Sequence, residues 1–114
     1  MKVVNLRNNA LLADKATMAD NFLKRLIGLL NRSALQEGEG LILNPSNSIH
    51  TCFMRFAIDV LFLDKNNQII AMLPSLKPFR LSAVYFKGLL TIELPSGVIE
   101  KTGTKTGDII DIIE

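Results

Sequence analysis

The sequence predicts a mainly β (α+β) fold: a compact antiparallel β-sandwich or barrel-like domain with one amphipathic helix at about 18–30 and a short helical turn near 97–102. Three observations predict it. Short apolar runs with period-two alternation recur along the chain, bounded by Asn, Asp, Gly and Pro. Only one stretch sustains a helical period. Hydrophobic residues make up 48% of the chain and charged residues 21%, enough for one core spanning a single domain, residues 1–114.

The elements follow in order. Residues 2–8 alternate weakly and read as a strand with Val4 and Leu6 on one face, and residues 10–13 read as its return after Asn8-Asn9. Phe22, Leu26, Leu29 and Leu30 then lie at i, i+4, i+7 and i+8, one stripe of a helix widened by Leu23 and Ile27. Thr17 is the expected N-cap, with Asp20 in the first turn and Lys24, Arg25 and Arg32 towards the other end, where the helix dipole favours them. Residues 41–43 form a short buried strand stopped by Asn44-Pro45. Residues 48–55 alternate as a further strand. Residues 58–63 and 68–73 make a hairpin about the turn cluster Asp64-Lys65-Asn66-Asn67. Pro74 and Pro78 bound an extended loop. Residues 89–94 alternate with Leu90, Ile92 and Leu94 together, Ser96-Gly97 opens the helical turn, and Gly107-Asp108 leads into a last strand, 109–113.

Composition removes several function classes. The longest uninterrupted apolar run, residues 69–73, is far short of the roughly 20 residues a membrane-spanning helix needs. Residues 10–13 are too short for a secretory signal, so a cytoplasmic protein without membrane insertion is expected. One Cys, Cys52, cannot close an internal disulfide, and the single His beside it leaves too few soft ligands for a structural zinc site. No metal or cofactor is expected. The formal net charge of +2 is low for a nucleic-acid binder.

The densest chemistry lies in residues 48–59. If residues 50–54 are extended, His50, Cys52 and Met54 share one face and Thr51, Phe53 and Arg55 the other. Three readings of this segment stay open. Cys52 could be a nucleophile with His50 as base, against inert packing, since free Cys is among the most buried residue types. His50, Cys52 and Met54 could form a soft-metal set suited to copper. Or His50 and Asp59 are polar groups lining a ligand pocket with Thr51, Met54 and Arg55, against a simple buried and hydrogen-bonded histidine. Asp59 interrupts an apolar run, so it needs a salt bridge with Arg55 or Arg80, or hydrogen bonds from loop N–H groups. From Lys65 to Ile92 there are four basic residues and no acidic one. Lys77, Arg80 and Lys87, interleaved with Phe79, Tyr85 and Phe86, form a weak candidate site for an anion or single-stranded nucleic acid, against an ordinary solvated face.

The run Gly28-Leu29-Leu30-x-Arg32, then Gly38-x-Gly40-Leu41, Ser48-Ile49-His50-Thr51 with Met54, Ile58-Asp59 and Phe62, and finally Glu93-Leu94-Pro95-x-Gly97 and Gly107-Asp108, resembles domain-of-unknown-function family 192 over about Leu12 to Ile112. The resemblance implies a mostly β, sandwich-like single domain widespread in bacteria and archaea. It brings no established activity and no catalytic assignment. The family usually has an aromatic residue where Cys52 stands, which argues against a family nucleophile there, and commonly a proline at the Ala57 position. Many relatives are exported or lipid-anchored, and this chain shows no such signal.

The leading functional expectation is a non-catalytic ligand- or protein-binding accessory module, its partner an unidentified small molecule or protein, with a pocket around His50 and Asp59. The balance leans against an enzyme. One alternative is a small hydrolase or transferase using His50 and Asp59 as an acid/base pair. The other is weak binding of single-stranded nucleic acid or an anion through Lys77, Arg80 and Lys87.

Overall fold

In the computed structural model, which describes residues 1–21, 24, 32–52 and 54–114, the described residues are mostly β, forming two sheets with a short helix near the C-terminus. The strands are β1 (Lys2–Asn5), β2 (Ala10–Ala13), β3 (Lys15–Ala19), β4 (Glu39–Leu43), β5 (Ile58–Leu63), β6 (Ile69–Leu76), β7 (Leu90–Pro95) and β8 (Ile110–Ile113), with helix α1 (Val98–Thr102) between the last two. A three-stranded sheet runs β2-β1-β8 and a five-stranded sheet β3-β4-β7-β5-β6. The sandwich alternative is the one realised; the sheets do not close into a barrel. No described helix is long and apolar enough to cross a membrane.

Among the described strands, all pairings but one are antiparallel. β3 and β4 run parallel, Lys15 opposite Glu39 through Ala19 opposite Leu43, because residues 20–38 are long enough to carry the chain back to the end where it started. That pairing corrects the expected N-cap. Thr17 and Met18 lie inside β3, in register with Leu41 and Ile42. Asn21 makes the cap-type bond instead, its Oδ1 accepting from the Lys24 backbone N–H at 2.8 Å. The rest of the expected helix, apart from Lys24, lies outside the described residues.

The five-stranded sheet is buried on both faces. One face carries Ile42, Leu61, Leu63, Ile92 and Leu94 and packs with Val3, Leu12, Ala13 and Ile110 of the smaller sheet. The other carries Leu41, Leu43, Ile58, Val60 and Phe62 and is covered by Leu35, Ile49, Met54, Phe56 and Tyr85 from the loops. Tyr85 packs on Phe62 with ring centroids 4.5 Å apart. All six residues of β5 are consequently buried.

β1 reverses the expected phase. Val3 and Asn5 point inward, while Leu6 is half exposed. Asn5 can face the core because its amide is satisfied there: Nδ2 donates to Asp108 Oδ2 at 2.8 Å and Oδ1 accepts from the Arg7 N–H at 3.0 Å. β6 runs on through Pro74 to Leu76, so the extended loop expected from Pro74 begins only after the strand; β6 is an edge strand, where a proline is tolerated.

Candidate functional site

The alternating segment at 48–55 is not a strand. It makes one isolated bridge, His50 opposite Leu81, and then turns, with the Met54 N–H donating to Thr51 O at 3.1 Å. The expected faces therefore do not form: Thr51 and Met54 are buried together, and His50 and Arg55 are exposed. The backbone groups that would have paired in a ladder are spent on the second loop. Thr51 N donates to Arg80 O, Phe79 N to Thr51 O, Ser82 N to Ile49 O and Tyr85 N to Asn47 O, each at 2.9 Å. Thr51 is the knot of this lacing, its Oγ1 donating to Lys77 O at 2.6 Å and accepting from Arg80 N at 2.9 Å. Thr51 and Met54 thus build the surface from beneath.

Asp59 is 1% exposed, and both its oxygens are occupied. Oδ1 accepts from Ser75 N at 2.8 Å, and Oδ2 accepts from Gly97 N at 3.1 Å and Ile99 N at 2.8 Å. Of the partners weighed for this carboxylate, loop N–H groups are the ones it has. A register shift between Ile58 and Val60 and the positive φ of Ser75 bring the Ser75 N–H to it, and Gly97 at φ 100 turns the start of α1 towards it. The residue caps α1 and fastens β6 to that helix.

A second buried polar cluster went unremarked in the sequence. Asp108 receives Arg7 Nε at 2.7 Å, Asn5 Nδ2 at 2.8 Å and Lys105 N at 2.8 Å. The Arg7 hydrogen bond, with those of Asn5 and Lys105, holds its carboxyl well below the usual carboxylate range. It ties β1 to the turn before β8.

The weak candidate residues Lys77, Arg80 and Lys87 are all exposed, on the loop that joins β6 to β7. The same loop exposes large apolar side chains: Phe86 at 91%, Leu81 at 77%, Phe79 at 62%, with Val84 and Leu89. The lacing to residues 47–51 prevents the loop from folding these side chains back onto the core, and it places Leu81 beside the exposed His50. A separate surface cavity of about 340 Å³ lies between β2 and α1, lined by Leu12, Asp14, Lys15, Glu37 and Lys101; Lys101 and Glu37 pair there at 2.7 Å. It contains none of the expected site residues. Among the described residues no group of three or more His, Cys, Asp or Glu is placed to hold a metal ion.

Glu93 is the residue sequence reading missed. Pairing Leu90, Ile92 and Leu94 on one face of β7 gave Glu93 to the opposite face, which would be solvated in an outer strand. β7 is the middle strand, with Leu41 and Val60 directly opposite Glu93 on either side. Glu93 is 5% exposed and burial pushes its carboxyl from 4.5 up to about 7. A lone acid within an apolar strand was the available signal.

Residues 3–112 match the family model for domain-of-unknown-function family 192, described as an uncharacterized ACR family. The chain is 36% identical over 96 residues to a UPF0127 protein of Pyrococcus furiosus, with 82% of each chain covered. It is 34% identical to a UPF0127 protein of Pyrococcus horikoshii, covering 95% of this chain and 96% of that one. A crystal structure of a protein of unknown function from Novosphingobium aromaticivorans superposes with a TM-score of 0.84 at 17% identity, covering 97% of this chain and 82% of that chain. That likeness shows the fold.

Proposed function

The chain belongs to domain-of-unknown-function family 192, and from that premise we propose that it is a non-catalytic protein-binding module, docking an acidic, partly apolar partner protein through its two laced loops, residues 45–57 and 77–89. One observation carries this reading: exposed Phe79, Leu81, Val84, Phe86 and Leu89 are interleaved with Lys77, Arg80 and Lys87 on one loop that has no acidic residue. Apolar side chains held in water favour a partner that covers them, and the cations select one of opposite charge. His50 and Arg55 join the face from the neighbouring loop. The Asp59 carboxylate is committed to three backbone N–H groups, which supports a binding role over acid/base chemistry with His50. Phe79 and Phe86 could stack on bases, but Leu81, Val84 and Leu89 are exposed aliphatic side chains that stacking would leave in water, so a protein surface fits the loop as a whole better than a single strand does. The same reading puts the protein and its partner in the cytoplasm.

The test is a titration of the isotopically labelled full chain, followed by amide shifts, with a synthetic peptide alternating Asp or Glu with Leu or Phe. A single-stranded oligonucleotide and anionic vesicles serve as comparisons. The reading expects saturable shifts at 77–89 and around His50 with the peptide, weakening as salt rises. Stronger binding to the oligonucleotide or the vesicles, or no shift in the loop, overturns it.

A further inference from the structure

The buried polar side chains form a set with one exception. Asn5, Thr51, Asp59, Thr91, Thr104 and Asp108 each have hydrogen-bond partners among the described residues. Glu93 Oε2 is buried and has none among the described residues. Its cross-strand neighbours, Leu41 and Val60, are apolar and buried. The arginines and lysine in ion pairs among the described residues are engaged elsewhere: Arg7 with Asp108, Arg32 with Glu39, and Lys101 with Glu37.

Such a carboxyl is expensive for the fold. Leaving a buried acceptor unpaired costs roughly 1–3 kcal/mol, and an ionised one more. A leucine or valine in the middle of β7 would pack against Leu41 and Val60 without that penalty. The position is also a defined one. Central-strand backbone fixes the Cα from both sides, and the Glu93 face of the sheet is covered by loops (Leu35, Ile49, Met54 and Tyr85), whereas the opposite face is sealed by the second sheet.

We propose that Glu93 anchors a ligand site on the loop-covered face of the five-stranded sheet, accepting a hydrogen bond from the cationic nitrogen of a small molecule with a short apolar body, an alkylammonium in its simplest form. The cation would supply a donor and a neutralising charge to Glu93, and the apolar body would pack against its cross-strand neighbours Leu41 and Val60. Burial holds this carboxyl raised, and a bound cation would return it towards the ordinary range. The site lies beneath the laced loops, since Ile49, Met54 and Tyr85 cover that face, but it rests on Glu93 and stands or falls separately from what the outer loop surface docks.

The test uses n-butylammonium as probe, with n-butanol as the neutral analogue of the same apolar length. In the full chain labelled with ¹³C at glutamate Cδ, the Glu93 resonance is assigned from its loss in Glu93→Gln. The expected result is a saturable shift of that resonance with n-butylammonium at neutral pH, with its titration midpoint falling as the site fills. n-Butanol, and n-butylammonium on Glu93→Gln read through the Leu41 and Val60 amides, are expected to bind roughly tenfold or more weakly, the loss of one charged hydrogen bond. Glu93→Leu, which packs as a core strand residue, provides a second folded variant with the same expectation. The absence of a saturable shift, equal binding of n-butanol, or undiminished binding to both variants overturns the proposal.

Discussion

Replacing Glu93 with glutamine keeps the shape of the side chain and removes its ionisation, so its effect belongs in the pH dependence of stability. The folded carboxyl titrates near 7 against an ordinary 4.5. Between those values the native state holds a proton that the unfolded chain has released. Stability rises with pH only where the unfolded state binds more protons, so here it falls as pH rises from about 4.5 to about 7 and then levels off. At 1.36 kcal/mol per pH unit, the rise in pKa corresponds to about 3 kcal/mol lost across that window, a large part of the 5–15 kcal/mol typical of a domain. Glu93→Gln still buries an unpaired amide, at a cost that does not vary with pH. The two proteins are therefore expected to be closest in stability at about pH 4 and below, with the variant gaining about 3 kcal/mol on the wild type by about pH 8. Urea unfolding at a series of pH values checks this directly. Parallel stability curves for the two proteins across the window would refute the reasoning, since they would mean Glu93 does not titrate differently in the folded state.

Three further outcomes are expected. Asp59→Ala leaves the N–H groups of Ser75, Gly97 and Ile99 without an acceptor, and is expected to cost about 3–5 kcal/mol in urea unfolding with faster amide exchange at Gly97 and Ile99; Asp59→Asn, keeping one carbonyl oxygen, loses less. The depressed Asp108 carboxyl contributes stability that is present above its ordinary 3.8 and is lost as pH falls below it, so Asp108→Ala is expected to flatten the fall in stability predicted for the wild type below about pH 4. At Gly38, with φ +85, a Cβ would lie 2.5 Å from Asp14 Oδ1. Gly38→Ala is accordingly expected to cost roughly 1–3 kcal/mol, and Asp14→Ala in the same background should recover the contact part of that loss while the backbone part remains.

The pattern of elements was legible where local chemistry and tertiary context agree. The β5–β6 hairpin was readable because its turn carries its own instructions: Asp64 Oδ1 accepts from Asn66 N and Gln68 N, and Asn67 takes the left-handed conformation its residue type tolerates. Faces were harder to read than strands. Asn5 looks like a surface residue until Asp108 and Arg7, which lie 103 positions and two positions further on, satisfy it. The alternation of 48–55 is real, but its backbone bonds go to the 77–85 loop, and no local rule says where a segment will find its partner. Asp59 stood out in the sequence, and its role as a cap could not be read because the N–H groups it serves are 16 to 40 residues away. Glu93 was hidden by the assumption that the polar face of an alternating strand is wet, which fails for the middle strand of a sheet covered on both sides.

The central claim, that the laced loops form the docking face, is tested most directly by reversing its charge. Lys77, Arg80 and Lys87 are exposed and can be changed to glutamate without disturbing the backbone bonds that hold the loop. The measurement is the affinity of the acidic, partly apolar peptide for the wild type and for K77E/R80E/K87E, with unfolding curves confirming equal stability. Loss of peptide binding in the reversed protein, together with retention of its fold, is the predicted result. Unchanged affinity in a folded triple variant would contradict it.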